Sequence, residues 1–87
     1  MIIKEPRIYT LIEWIDSKGI TDEWEFLERL KPITCCICRS IGFIVEETDD
    51  YVTIAQSLTL TEIPENSQVL GRMSIPKVAI RTRKDFP

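Results

Sequence analysis

Residues 38–55, CRSIGFIVEETDDYVTIA, decide the fold, because they carry apolar residues on both sides of an acidic knot. Aspartate favours turns through side-chain hydrogen bonds to its own backbone, so Thr48-Asp49-Asp50 reads as a reversal and not as a carboxylate site. Tyr51–Leu58 then returns as the partner strand. Extended backwards, the first arm becomes a long strand, residues 33–47. One alternating set holds Cys35, Ile37, Ile41, Phe43 and Val45, broken only by Arg39; the other holds Thr34, Cys36, Cys38, Ser40, Gly42 and Ile44 and is mostly small. Gly42 marks a place where a strand bends sharply or another chain approaches closely.

Upstream, RIYTLIEWI (residues 7–15) is β-branched and aromatic, with both alternating sets largely apolar, as expected of a strand covered on two sides. Ile8, Thr10, Ile12 and Trp14 share one face; Tyr9, Leu11, Glu13 and Ile15 share the other. A helix competes for this segment through its three-and-four spacing, and the β-branched content favours the strand. Asp16-Ser17-Lys18-Gly19 reads as a turn. TDEWEFLERL, residues 21–30, predicts a short helix. Thr21 would cap it, Asp22 and Glu23 would sit in its first turn, Arg29 and Lys31 at its far end, and Trp24, Phe26, Leu27 and Leu30 would form its apolar stripe. Pro32 ends it. Downstream, residues 59–67 make a polar loop, residues 68–74 a strand, Ile75-Pro76-Lys77 a tight turn, and residues 78–83 a last strand, with Asp85-Phe86-Pro87 fraying.

A chain of 87 residues supports one core, so residues 1–87 form a single domain. Strand, helix, long bent hairpin, loop, strand, turn and strand predict a mainly β fold with one short helix inserted after the first strand. The expected architecture is a five-stranded antiparallel small barrel, since closure removes exposed sheet edges. The ending, a strand followed by IPKVAI, resembles the end of Sm-like small barrels. Small barrels of that kind oligomerise through strand edges, so a homo-oligomer is expected.

Composition narrows the chemistry. The chain has 44% hydrophobic and 29% charged residues, as soluble globular proteins do, and no apolar run near the roughly 20 residues of a membrane span. Lys4, Glu5 and Arg7 interrupt the N-terminus where a signal peptide would be apolar, which points to a cytoplasmic location. Cys35, Cys36 and Cys38 lie too close together for a disulfide framework, and with no histidine they fall short of the four ligands of a structural zinc site. They read as free thiols on a strand, with no metal and no cofactor implied. Without histidine the thiols also have no imidazole partner, and Gly19, Gly42 and Gly71 form no phosphate-cradling loop, so no catalytic residue is assigned.

Charge is distributed in blocks. Residues 44–66 hold six acidic and no basic residues, and residues 67–87 hold five basic and one acidic. Blocks of opposite sign neutralise each other across a small fold. Two groups of binding residues stand out nonetheless. Trp14 beside Asp16 and Ser17 offers an aromatic face next to hydrogen-bonding groups, against a competing reading as a core tryptophan next to a turn. Arg72, Lys77, Arg81, Arg83 and Lys84 would suit phosphate if they gathered, against a competing reading as a solvated face. The sequence pI of about 4.9 disfavours nonspecific binding to nucleic acid.

The series LIEWIDS, DEW, CRSIGFIVEETDDYVTIA and IPKVAI resembles a family of small accessory proteins encoded by tailed bacteriophages and prophages. The likeness spans roughly Leu11 to Arg81 and is carried by Trp14-Ile15-Asp16-Ser17, Ser40-Ile41-Gly42-Phe43, and Ile75-Pro76 with Ile80. It implies a role inside an infected bacterial cell, and no catalytic residues come with it. The expected function is that of a non-enzymatic binding module that blocks or sequesters a host protein or a small nucleotide. An RNA-binding Sm-like protein and a minor virion protein are the alternatives.

Overall fold

The computed structural model describes residues 1–19 and 23–87 and is mainly β. Five antiparallel strands, β1 (Tyr9–Asp16), β2 (Cys36–Glu47), β3 (Tyr51–Thr59), β4 (Gln68–Pro76) and β5 (Ile80–Phe86), make one sheet in the order β4-β3-β2-β1-β5. The acidic knot is the β2–β3 turn, as its composition suggests. Its organiser is Thr48, whose Oγ1 accepts the backbone N–H groups of Asp50 and Tyr51 at 3.1 Å each, while its own N–H donates to the Tyr51 carbonyl.

β2 serves two partners in succession. Residues 36–43 pair with β1, and from Phe43 onward the ladder runs to β3, with a register shift between Ile44 and Glu46. Gly42 sits at the handover. A Cβ there would lie 2.8 Å from the Ala55 carbonyl oxygen, so the close approach allowed by this glycine is that of β3. Beyond the handover β2 carries the N-terminal segment in place of β1: the Ile3 N–H donates to the Val45 carbonyl at 2.8 Å, and the Glu47 N–H to the Met1 carbonyl at 3.0 Å.

The core sits where these ladders overlap. Ile12, Ile44, Val52, Ile54 and Ile75 form one buried cluster, with Ile3, Trp14, Met73 and Ile80 packed around it. Two buried threonines are satisfied: Thr10 Oγ1 donates to the Lys84 carbonyl, and Thr53 and Ser74 share a 2.7 Å hydroxyl contact. The small residues of β2 make room for Trp14, which pairs across from Cys38 and donates its indole N–H to Ser40 Oγ at 3.0 Å.

Three expectations are corrected. The sheet is not a closed barrel: β4 and β5 are its two edges, on opposite sides of β3-β2-β1. The molecule measures 62 × 24 × 19 Å, and its radius of gyration is 17.4 Å, against about 12 Å for a compact chain of this length. β2 is one continuous strand from Cys36 to Glu47, and its irregularity is the register shift against β3 between Ile44 and Glu46. No α-helix forms among the described residues 23–30, which hold only a 3₁₀ turn at Leu27–Arg29; Thr21 and Asp22 lie outside the described residues. A helix of this length is marginal unless its apolar stripe is buried, and Trp24, Phe26 and Leu27 are exposed. The C-terminus does not fray at Asp85, because β5 runs to Phe86, whose ring stacks on Tyr9 at 5.1 Å.

The two edges differ. β5 carries Arg81, Arg83, Lys84 and Asp85, whereas the first four residues of β4, Gln68-Val69-Leu70-Gly71, carry no charge. No helix of the described residues is long and apolar enough to cross a membrane.

Candidate functional site

Pinning the N-terminal segment to β2 opens a groove between that segment and the β3–β4 hairpin. Its volume is about 390 Å³. Ile2, Ile3 and Pro6, Val45 of β2, Leu58 of β3, Val69 of β4 and Leu60 from the following loop give it an apolar lining. Its polar groups are Lys4, Glu46, Glu65 and Arg72 beside Ser67 and Gln68. Glu46 is already engaged, accepting the Tyr51 hydroxyl at 3.1 Å and Thr53 Oγ1 at 3.4 Å. That bond to a carboxylate raises the Tyr51 hydroxyl above its ordinary pKa. Lys4 and Arg72, by contrast, enter no ion pair with the described residues.

Basic residues of the C-terminal block meet the acidic block elsewhere. Arg83 grips Glu47 with two nitrogens at 2.9 Å each, Lys77 Nζ reaches the same carboxylate at 2.9 Å, and Arg83 also holds Asp85 at 2.9 Å. Arg83 first, and then Lys77, hold the Glu47 carboxyl at a pKa of about 2, against desolvation that raises it. Arg83 also lowers Asp85 and is itself raised. The network ties β2, β5 and the Lys77–Ala79 turn together. Because Glu47 is depressed in the folded state, its stabilisation is complete above its unfolded pKa near 4.5 and is lost as pH falls toward 2. With the carboxylate about a third exposed, solvent screening reduces its contribution to about 1–2 kcal/mol. Unfolding free energies from urea titrations at pH 6 and pH 3 are expected to differ by about 1 kcal/mol through this group, and Glu47→Gln is expected to flatten the difference.

The residues singled out in the sequence fall in four places. Arg72 is on β4 at the groove. Lys77 and Arg83 are on Glu47, and Arg81, on β5 at the opposite edge of the sheet, is 3.5 Å from Glu13, which Arg39 also approaches at 3.4 Å. The basic residues therefore do not gather into one patch. Trp14 packs half-buried against the core, and Asp16 Oδ1 accepts the Ser17 N–H at 2.8 Å where β1 ends; residues 17–19, read as a turn, are irregular there. Sequence reasoning missed the apolar groove lining. Leu58 and Leu60 continue a two-residue alternation into a segment read as a polar loop, and that was the available signal.

The three cysteines are free thiols, Cys35 exposed and the others half-buried. Comparison with protein-family models, curated proteins and solved structures finds no match.

Proposed function

We propose that the chain is a non-enzymatic accessory binding protein, of phage or prophage origin, that blocks or sequesters a host component in the bacterial cytoplasm. In this reading the groove receives that component, and counter-defence is the role that fits. The observation that carries it is an apolar lining beside Lys4 and Arg72, two cations that enter no ion pair with the described residues, set against the one carboxylate, Glu65, that is likewise free among them. Such a site suits apolar side chains flanked by a carboxylate, and hence a segment of a host protein. A nucleotide fits less well. No aromatic residue lines the groove to stack a base. The Sm-like reading of the chain's ending is supported by the 3₁₀ turn, Lys77–Ala79, that separates β4 from the final strand. Homo-oligomerisation belongs to the same reading, and the uncharged start of the β4 edge, Gln68 to Gly71, supports it.

The test is an amide NMR titration of the ¹⁵N-labelled chain with the capped peptide acetyl-Asp-Leu-Leu-Asp-amide. Shifts are expected at Leu58, Leu60, Val69 and Arg72, abolished by Leu60→Asp and weakened about tenfold by Arg72→Glu. Silence at these residues with millimolar peptide overturns the proposal. So does tighter binding of a nucleoside triphosphate there that survives Leu60→Asp.

A further inference from the structure

The face of the sheet away from the core is apolar and uncovered. Cross-strand register sets Tyr9 opposite Phe43, Leu11 opposite Ile41 and Ile15 opposite Ile37, so all six side chains share that face. Both alternating sets of β1 are apolar, yet the chain buries only Thr10 and Ile12 of one set and leaves the other open. Tyr9, Leu11, Ile15, Ile37 and Ile41 are 38%, 41%, 43%, 57% and 64% exposed. Together they leave roughly 400 Å² of apolar surface open, much of the apolar centre of an interface of about 800 Å² per partner.

A second uncovered surface has the complementary charge. Glu13 is shared between Arg39 and Arg81, and Lys84, opposite Leu11 on β5, enters no ion pair with the described residues. The face therefore has two cations in excess. Residues 23–30 hold Glu23, Glu25 and Glu28 against Arg29, an excess of two anions, and these three carboxylates pair with none of the described residues. Between the charges stand Trp24, Phe26, Leu27 and Leu30, all exposed. The backbone of this strap is extended on both sides of the 3₁₀ turn, at Phe26 (φ −75°, ψ 124°) and Leu30 (φ −63°, ψ 136°), and the exposure of Trp24, Phe26 and Leu27 shows that their side chains are not packed on the chain's own sheet. Its length fits as well: with three of its eight residues in the 3₁₀ turn the strap reaches about 19 Å, and the apolar rows of the face run about 20 Å.

We propose that the chain forms a two-fold dimer in which the Glu23–Leu30 strap of each copy lies across the outer face of β1, β2 and β5 of the other. The reciprocal exchange buries roughly 1,800 Å², within the range of stable interfaces. It deepens the homo-oligomer part of the reading above and is independent of the groove, because Leu60→Asp leaves it intact.

Sedimentation equilibrium of the full chain, with far-UV circular dichroism to verify folding, tests it. The unaltered chain is expected to be a dimer. Ile41→Asp on the face and Phe26→Asp on the strap replace exposed side chains, and each is expected to raise the dissociation constant about 100-fold. Mixing the two variants is expected to restore a weaker heterodimer, since the intact strap of one meets the intact face of the other. A monomeric unaltered chain overturns the proposal, as cover by the chain's own strap would give. Loss of the dimer in Ile41→Asp but not in Phe26→Asp also overturns it, by indicating direct face-to-face packing, and so does failure of the mixture to recover a heterodimer.

Discussion

Valine in place of Gly42 is expected to destabilise the protein by about 3 kcal/mol or more, lowering the urea midpoint sharply and leaving part of the population unfolded. The first added carbon would stand 2.8 Å from the Ala55 carbonyl oxygen, 3.2 Å from Ile54 Cβ and 3.3 Å from the Ala55 carbonyl carbon. Two of these atoms are backbone, so no rotamer change relieves the contact. The only relief is to move β3 away from β2, and that breaks the ladder at its first pair, Phe43 with Ala55. Ile54 would shift with it, out of the buried cluster. Gly19 is the control: a Cβ there meets nothing within 4 Å, and Gly19→Ala is expected to leave the midpoint unchanged.

Truncating Ile12 to alanine is expected to cost about 3–4 kcal/mol. Ile12 is wholly buried, on the strand that pairs with β2 on one side and β5 on the other. Its cluster draws single residues from β1, β2 and β4 and two from β3, so no neighbour can collapse into the vacancy without leaving its own ladder. A chain of this length has a total stability of about 4–13 kcal/mol, and the loss takes up a large fraction of it. Chemical denaturation of Ile12→Ala beside Leu11→Ala separates the faces. Leu11 points to the outer face, and its truncation is expected to weaken association more than folding.

The strands were legible in the sequence because their signal is local. Two-residue alternation and the Thr48-Asp49-Asp50 reversal located β2 and β3 to within a few residues, and Gly42 announced a close approach. The misreadings concern what a neighbour does. WEFLERL has the spacing of a helix, but spacing stabilises a helix only when a surface accepts its stripe, and the single chain offers Trp24 none. Closure into a barrel was inferred from strand number, whereas whether the edge strands β4 and β5 meet depends on the course of the whole sheet, which no local pattern records. At the candidate site, Arg72 was visible as a charge. Its apolar surroundings were not, because Ile2 and Ile3 reach the groove through pairing with Val45, more than forty positions away. Lys77 and Arg83 drew attention as possible phosphate ligands, and a single carboxylate, Glu47, uses both.

The unlike margins of the sheet decide where the protein is vulnerable in concentrated solution. Along β5 a fringe of ionic side chains repels an approaching strand, while Gln68-Val69-Leu70-Gly71 presents bare amides and carbonyls with nothing to turn a stranger aside. Fibre growth would begin there, so crowding inside a cell favours any arrangement that keeps this rim occupied.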